Sequence, residues 1–367
     1  MQLKQRNQIL KDLDSKIVFL TGPRQVGKTW LARDIAGNFK TSIYLNYENF
    51  DDRKIIRNKT WPPETDLFIF DEIWKMPGWK QYMRDLFDSK SGAQKFLITG
   101  SADPGFFGNL RPVLAGRVFS HRLFPFSAEE LEDPDLNRLI LRGGFPEPFL
   151  AEDDLQARHW RNQYVDTLIR EGIPELAKVS DFKSLGLTLE LLRRRVGSPV
   201  SYSSIARELD IAPNTVKKYI HLFEALCIIF RLSPFTTNIA RTLFREPKLY
   251  FYDTGMVLGD DGAKFENLAA LSLAKETAAA EDVRGIGASL HYIRTKDGRE
   301  VDFCYVENGE IRFLAEAVLS DSEIRKDLLY FCEKKDKPGI QIVKNLNQER
   351  RQGSIEVRRA DRFLKEL

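Results

Sequence analysis

The chain has 367 residues, which is more than one domain usually contains, so we expect two or three domains. Hydrophobic residues make up 43% and charged residues 30%, a composition typical of globular proteins with sizeable cores. The 56 basic and 53 acidic side chains leave a formal net charge of +3, which by itself neither requires nor excludes nucleic acid as a partner.

The cysteines and the N-terminal segment bear on the cellular compartment. Cys227, Cys304 and Cys332 are far apart in apolar surroundings, which predicts buried free thiols in a reducing environment. The first residues are polar and lack the apolar region of a signal peptide. No apolar run approaches the roughly 20 residues that a membrane helix needs. We therefore expect a cytoplasmic protein.

Short apolar runs alternate with helical stretches in the first third of the chain. The runs that predict strands lie at 16–21, 42–46, 66–70, 95–99 and 117–126. The stretches at 28–37 and 79–89 predict helices. This alternation is typical of an α/β fold with a mostly parallel sheet and helices on both faces. We place this domain at residues 1–126.

The periodicity changes after residue 126. From 127 to about 235 it is helical, with a glycine- and proline-rich turn at 143–149, and we place a helical domain at 127–245. Strand-like runs then return, with one helix candidate at 263–276. The segment 276–288 has few bulky side chains and is interpreted as a loop. We predict a small α+β domain at 246–367.

The clearest motif is GPRQVGKT at residues 22–29, which fits the phosphate-loop pattern G-x-x-x-x-G-K-[ST]. Its glycines let the backbone curl around phosphate oxygens, its lysine approaches the β- and γ-phosphates, and its threonine offers a hydroxyl ligand to Mg²⁺. A predicted strand precedes it and a predicted helix follows, as the motif requires. The predicted cofactors are ATP and Mg²⁺, bound by Gly22, Pro23, Arg24, Gln25, Val26, Gly27, Lys28, Thr29 and Trp30.

Two acids end the apolar run LFIFDE at 67–72. Asp71 is predicted to hold Mg²⁺ together with Thr29, and Glu72 to act as the catalytic base that polarises the attacking water, alongside Lys28 on the phosphates. The next strand candidate ends in FLITGS, where Thr99 or Ser101 could contact the γ-phosphate. We favour Ser101, because it lies past the strand tip where open α/β sheets bind ligands.

An arginine that stabilises the transferring phosphoryl group can come from the same chain or from another. The segment LAGRVFSHR at 114–122 contains two candidates. We take Arg117 as the first and Arg122 as the second; ordinary surface ion pairs are the alternative for each.

These motifs carry a resemblance to a known family. GPRQVGKT, IFDEIWKMPGW, LITGS, LAGRVFSHRLFPFS and GGFPE, in that order, resemble the AAA+-type P-loop ATPases of bacteria and archaea that have a C-terminal domain of unknown function. REPKLYFYDTGMV, KFENLAALSL and REVDF resemble that C-terminal domain, so the resemblance spans nearly the whole chain. It implies an ATPase core, a winged-helix segment and a restriction-endonuclease-like module. Such ATPases often complete their sites between subunits, which leaves a homo-oligomer and a single acting chain both open.

Residues 202–235 have a helix-turn-helix pattern. Pro213 suits the first turn of the second helix, whose apolar residues recur at helical spacing. Asn214, Thr215, Lys217, Lys218 and His221 remain for its exposed faces, and Arg193, Arg194 and Arg195 lie upstream. Such residues could contact double-stranded DNA. Packing or docking onto a protein partner is the alternative for this segment.

In the nuclease-like module the resemblance assigns the acidic positions to Glu266, Asp302 and Glu316. The lysine expected two residues after Glu316 is replaced by Val318, which supplies neither charge nor proton. We therefore expect a degenerate nuclease fold that packs or binds a partner.

Together the motifs predict an ATPase that couples its nucleotide state to the C-terminal modules, with DNA as one candidate target. The alternatives are a nucleotide-gated switch that binds an unidentified protein partner with little turnover, and, less favoured, an ATP-dependent nuclease.

Overall fold

A computed structural model of the chain describes residues 4–92, 94–101, 111–172, 181–236 and 246–367. They form two compact units. The N-terminal unit comprises the described residues up to Phe124 together with Asp282–Arg284, and the C-terminal unit comprises the remainder from Pro125 onward. In these described stretches, no helix is both long and apolar enough to cross a membrane.

The N-terminal unit is built on a five-stranded sheet in which every neighbouring pair is parallel, in the order β2-β3-β4-β1-β5. Its strands are β1 Ile17–Thr21, β2 Ser42–Asn46, β3 Leu67–Asp71, β4 Lys95–Gly100 and β5 Val118–Arg122. Its helices are α1 Lys4–Leu13, α2 Lys28–Ala36, α3 Phe50–Asn58, α4 Trp79–Asp88 and α5 Arg111–Leu114.

The parallel α/β prediction for this unit is confirmed. Strands β1 and β3 are buried along their whole length, because their residues are continuously apolar rather than alternating. Phe19 of β1 belongs to the same core cluster as Phe68 and Phe70 of β3 and Phe96 of β4, and these last three rings stack on one another. This rigid centre fixes the strand ends that carry the motif residues.

Helices α1, α3 and α5 were missed by the sequence predictions, and one strand was predicted too long. Helix α1 is polar overall, yet it buries Ile9 and Leu13 completely, whereas helix α3 buries Ile56. Strand β5 ends at Arg122 instead of running to residue 126, because Pro125 lacks the N–H that a continued ladder needs.

The helices of the C-terminal unit come first along the chain. They are α6 Leu136–Arg142, α7 Pro146–Leu150, α8 Asp154–Thr167, α9 Phe182–Arg193, α10 Tyr202–Leu209 and α11 Pro213–Ala225. A two-stranded antiparallel sheet follows, made of β6 Ile229–Leu232 and β7 Lys248–Phe251.

The rest of this unit surrounds a six-stranded mixed sheet in the order β12-β13-β11-β10-β9-β8. Its strands are β8 Ala288–Arg294, β9 Glu300–Glu307, β10 Glu310–Ser320, β11 Gly339–Asn345, β12 Arg350–Gln352 and β13 Ile355–Arg359. The accompanying helices are α12 Asp261–Asp282, α13 Lys326–Lys335 and α14 Ala360–Glu366. All three cysteines are free and buried, as predicted.

The loop predicted at 276–288 is wrong over its first half, because α12 continues to Asp282. Small side chains there indicate close packing rather than a loop: Ala278 and Ala280 are almost completely buried. Alanine is also the residue with the highest helix propensity, so the same composition favours a helix once tertiary packing is available.

Candidate active site

The phosphate loop joins β1 to α2. Gly22 has a φ of 148°, and a Cβ atom on it would lie 2.3 Å from the carbonyl oxygen of Leu123, so the chain requires glycine there. Gln25 and Gly27 also have positive φ values, of 60° and 105°. Successive left-handed residues curl the loop, and α2 begins directly after it at Lys28. The local geometry is that of an anion-binding turn at a helix N-terminus.

Lys28 is buried, and its ammonium group lies over its own loop. Nζ donates to the carbonyl oxygens of Gly22 at 3.0 Å and Pro23 at 2.6 Å. These bonds keep the positive charge of Lys28 at the loop, where it would bind the phosphate oxygens of a nucleotide. Thr29 follows in the first turn of α2 and is half-buried, whereas Trp30 is 60% exposed.

Strand order brings the acidic residues to the loop. Strand β4 lies between β1 and β3, and all three are parallel, so their carboxyl ends meet at one edge of the sheet. Asp71, the last residue of β3, pairs with Thr99 on β4. Asp71, Glu72, Thr99 and Ser101 therefore lie at the edge where the phosphate loop leaves β1.

Both carboxylate oxygens of Asp71 accept hydrogen bonds. The hydroxyl of Thr99 donates to Oδ1 and the hydroxyl of Tyr44, from β2, donates to Oδ2. Thr29, beside the Tyr44 hydroxyl, acts to lower the pKa of this phenol. Burial and the adjacent Asp71 raise the pKa of Tyr44 well above its ordinary value, so the phenol stays protonated and remains a donor.

Glu72 has a left-handed backbone with φ 53°, and its N–H donates to the carbonyl oxygen of Thr99 at 3.0 Å. Its carboxylate accepts a hydrogen bond from the indole N–H of Trp74. Burial raises the pKa of Glu72, while Ser101 and Lys28 act in the opposite direction. A buried carboxylate of raised pKa is a stronger proton acceptor than an exposed one.

The donor atoms fit Mg²⁺. The Thr29 hydroxyl and the Asp71 carboxylate supply oxygen, the ligand type that this cation prefers, and the Tyr44 hydroxyl binds the Asp71 carboxylate. Each carboxylate oxygen has two lone pairs, so the bonds from Thr99 and Tyr44 leave Asp71 able to accept further contacts.

Arg117 is placed differently from the prediction. Its carbonyl oxygen accepts from the N–H of Ile17, at the start of β1, so it lies at the edge of the sheet opposite to the phosphate loop. Five residues of β1 separate the two edges by roughly 15 Å at the usual rise per residue. The Arg117 guanidinium donates to Asp88 at 2.7 and 3.0 Å. Arg117 therefore cannot complete the site of its own chain.

Arg122 lies at the same edge of the sheet as the loop, because it pairs with Thr21 in the ladder. Its guanidinium binds the Asp282 carboxylate, at 2.9 Å between the closest atoms, and its backbone N–H donates to the same group. This ion pair directs the arginine toward Asp282.

The sequence predictions included neither Tyr44 nor Trp74 in the site. Trp74 does pack on the core cluster, as do Trp61 and Trp79, but its indole N–H also binds Glu72. Tyr44 precedes Asn46, the register partner of Asp71, by two residues and so shares its sheet face. A polar aromatic residue near the end of a strand was the available signal.

The acidic positions of the C-terminal unit surround a lysine that the sequence predictions did not consider. Nζ of Lys248, on β7, lies 2.7 Å from Glu300, 3.1 Å from Asp302 and 3.4 Å from Glu266. Burial would lower the pKa of this lysine, but the surrounding carboxylates outweigh that effect and raise it. Together with Glu316, three of these carboxylates line a cavity of about 830 Å³.

This arrangement places an ammonium group where the resemblance implies a metal ion. Val318 is buried in the sheet, as its apolar side chain requires. Within the described parts of the chain, no three side chains among His, Cys, Asp and Glu are disposed to hold a metal ion.

The helix-turn-helix pattern forms α10 and α11, joined by a turn in which Asp210 is left-handed. Asn214, Lys217, Lys218 and His221 are exposed on α11, as predicted, and Thr215 is half-buried. The upstream arginines differ from one another: Arg194 is exposed, whereas Arg193 and Arg195 form ion pairs with Glu190 and Glu208.

Comparison with known proteins agrees with this geometry. Residues 14–132 match the family described as an AAA domain, and residues 133–259 match a domain of unknown function. Over 299 residues the chain is 30% identical to the uncharacterized protein Rv2008c of Mycobacterium tuberculosis, covering 79% of this chain and 67% of the relative. The chain belongs to the same family as this mycobacterial protein.

A second relative, the uncharacterized protein MJ1544 of Methanocaldococcus jannaschii, is 25% identical over 345 residues, covering 82% of this chain and 75% of its own length. Among solved structures, the Walker-type ATPase of Pyrococcus abyssi is 15% identical with a TM-score of 0.46, covering 69% of this chain and 93% of that one. A RuvB variant of Thermotoga maritima is 16% identical with a TM-score of 0.34, covering 62% and 87%. The N-terminal unit, whose residues 14–132 match the AAA family, is thus an AAA-type P-loop domain.

Proposed function

We propose that the chain binds ATP with Mg²⁺ and hydrolyses it to ADP and phosphate at the edge of the five-stranded sheet. The observation that carries this proposal is the placement of Glu72 directly after β3, at the edge of the sheet where the phosphate loop leaves β1. Its N–H donates to the carbonyl oxygen of Thr99 at 3.0 Å, and its carboxylate accepts from the indole N–H of Trp74. Strand β4, inserted between the loop strand and the acidic strand, produces this arrangement.

Each residue has a distinct part in the proposed reaction. Lys28 binds the β- and γ-phosphates, and the curled loop holds them at the N-terminus of α2. Mg²⁺, held by Thr29 and Asp71, would neutralise phosphate charge when bound. Glu72 accepts a proton from the attacking water while the bond between the γ-phosphorus and the bridging oxygen breaks, releasing ADP. Ser101 orients the Glu72 carboxylate.

The test is steady-state phosphate release by the full-length chain in the presence of Mg²⁺ and ATP. Glu72→Gln keeps the shape of the side chain but removes the base, so turnover should fall by about 100-fold or more while ATP still binds. Lys28→Ala should abolish binding. Glu64→Gln, an exposed glutamate of the same unit, serves as the matched control. Equal and negligible rates in the wild type and Glu72→Gln would exclude hydrolysis.

A nucleotide-gated switch with little turnover is the second candidate function. It is favoured by the ion pairs that direct Arg117 to Asp88 and Arg122 to Asp282, away from a bound phosphate. In that case a second copy of the chain or a partner protein supplies the missing arginine. Tight ATP binding without phosphate release supports the switch, and rates that rise steeply with protein concentration support completion between copies.

DNA is the candidate target that the C-terminal unit supports. Asn214, Lys217 and Lys218 lie exposed on α11, near the start of the second helix of a helix-turn-helix that a two-stranded sheet follows, as in winged helices. The double variant Lys217→Ala/Lys218→Ala should weaken binding to double-stranded DNA. It should also reduce the slope of the logarithm of the binding constant against the logarithm of the salt concentration by about two. Absent or salt-insensitive binding would exclude this target.

A further inference from the structure

The Asp71 carboxylate is held from both sides of its strand. Strands β2 and β4 are the two neighbours of β3, and Asp71 pairs with Asn46 on one and with Thr99 on the other. Thr99 donates directly across the ladder. On the β2 side, Asn46 does not donate to Asp71; its side-chain oxygen accepts from the N–H of Glu48 instead.

Tyr44, two residues before Asn46, donates the hydrogen bond on the β2 side. Tyr44 and Asn46 lie on the same face of the sheet, and the long phenol reaches forward to Oδ2 of Asp71. The guanidinium of Arg33 lies over the Tyr44 ring at 5.4 Å from its centroid, which fixes the ring's orientation. Thr29 lies beside the same hydroxyl. The side chain that holds Asp71 is therefore also next to the second oxygen donor that fits Mg²⁺.

We propose that Tyr44 is a positioning residue for the metal ion, whose hydroxyl holds the Asp71 carboxylate beside Thr29 in the arrangement that Mg²⁺ requires. This inference rests on the proposed function. Its physical basis is that groups behind metal ligands fix the ligands' orientation, and that removing such a group typically weakens metal affinity or activity 10- to 100-fold. Because each Asp71 oxygen retains a lone pair, the tyrosine and the metal's ligand shell can be accommodated together.

The experiment compares Tyr44→Phe with the wild type, using the full-length chain and a fluorescent ATP analogue. The affinity is measured in EDTA and during a MgCl₂ titration. We expect the EDTA affinity to change less than about twofold and the MgCl₂ midpoint to rise about tenfold or more. In turnover, the MgCl₂ concentration for half-maximal rate should rise similarly, with the rate at saturating MgCl₂ within about threefold of the wild type.

Tyr82→Phe is the matched control. The Tyr82 hydroxyl donates to the carbonyl oxygen of Ile56, on helix α3 of the same unit, and not to Asp71. It should change neither the EDTA affinity nor the MgCl₂ midpoint. On the opposite side of Asp71, Thr99→Val removes the hydroxyl that donates to Oδ1 and should also raise the MgCl₂ midpoint. Thr99→Ser keeps a hydroxyl and should have the midpoint of the wild type.

Three outcomes would overturn the inference. An unchanged midpoint in Tyr44→Phe would show that the hydroxyl does not position the metal ligands, and a lower midpoint would show that it competes with Mg²⁺. An equal loss of affinity in EDTA and MgCl₂ would assign Tyr44 to the nucleotide site as a whole. Failure of the proposed function has a different signature, since the wild type would then bind the analogue under neither condition.

Discussion

Glu266 lies in the cluster of carboxylates around Lys248, and the variant Glu266→Gln isolates the effect of its charge. Its Oε1 atom accepts from Tyr250 at 2.7 Å and lies 3.4 Å from the lysine ammonium. A glutamine keeps the size of the side chain and can still accept the tyrosine hydrogen bond. The substitution therefore changes mainly the charge and leaves the packing of the C-terminal unit in place.

The magnitude follows from the pKa of Glu266. Burial first, and repulsion from Asp302 second, raise this pKa from its ordinary 4.5 to about 7, despite the opposing effects of Lys248 and Tyr250. A rise of that size corresponds to about 3 kcal/mol in favour of the protonated form in the folded state. Between pH 4.5 and pH 7 the folded chain therefore binds more protons at Glu266 than the unfolded chain. The stability that protonated Glu266 contributes is complete below pH 4.5 and is lost as the pH rises through 7.

The assay is urea unfolding of the wild type and Glu266→Gln at pH 5 and pH 8. At pH 5 we expect nearly equal free energies of unfolding, because Glu266 is mostly protonated in the folded wild type. At pH 8 the variant should be more stable by up to about 3 kcal/mol. Glu310→Gln, whose side chain is 80% exposed in the same unit, is the control. A variant less stable than the wild type at pH 8, but not at pH 5, would show that attraction to Lys248 outweighs burial and repulsion.

Four further substitutions test backbone conformation, a buried ion pair and the placement of the arginine. Gly143 has a φ of 74°, and Gly143→Ala would put a Cβ atom 1.8 Å from the Asp253 carboxylate, so the melting temperature should fall by several degrees. Gly116 has a similar φ of 73° but open space around it, so Gly116→Ala should lower the free energy of unfolding by only about 1 kcal/mol. Arg161→Met leaves buried Asp253 without its 2.7 Å ion pair and should lower the free energy of unfolding by about 3–5 kcal/mol in urea titrations. Arg117→Ala should leave phosphate release per chain within about twofold of the wild type in a monomeric preparation, since Arg117 lies at the opposite edge of the sheet; a larger loss would mean that this arginine reaches a phosphate.

The residues that act over short stretches of chain could be identified from the sequence. The phosphate loop is a local structure, and its glycines, lysine and threonine are fixed by spacing alone. Asp71 and Glu72 were recognisable because a continuous apolar run marks a buried strand and its carboxyl end is where ligands bind. The helix-turn-helix was likewise visible in its apolar periodicity.

The tertiary structure decided which distant residues meet these local motifs. Strand β5 pairs with β1 in a register that carries Arg117 to the far edge of the sheet, and no local pattern contains that register. Tyr44 reaches Asp71 because β2 lies next to β3, and Lys248 meets Asp302, which lies 54 positions further along the chain. Spacing along the sequence determines the phosphate loop, whereas strand order and register determine what surrounds it, because pairing between strands depends on the packing of the whole core.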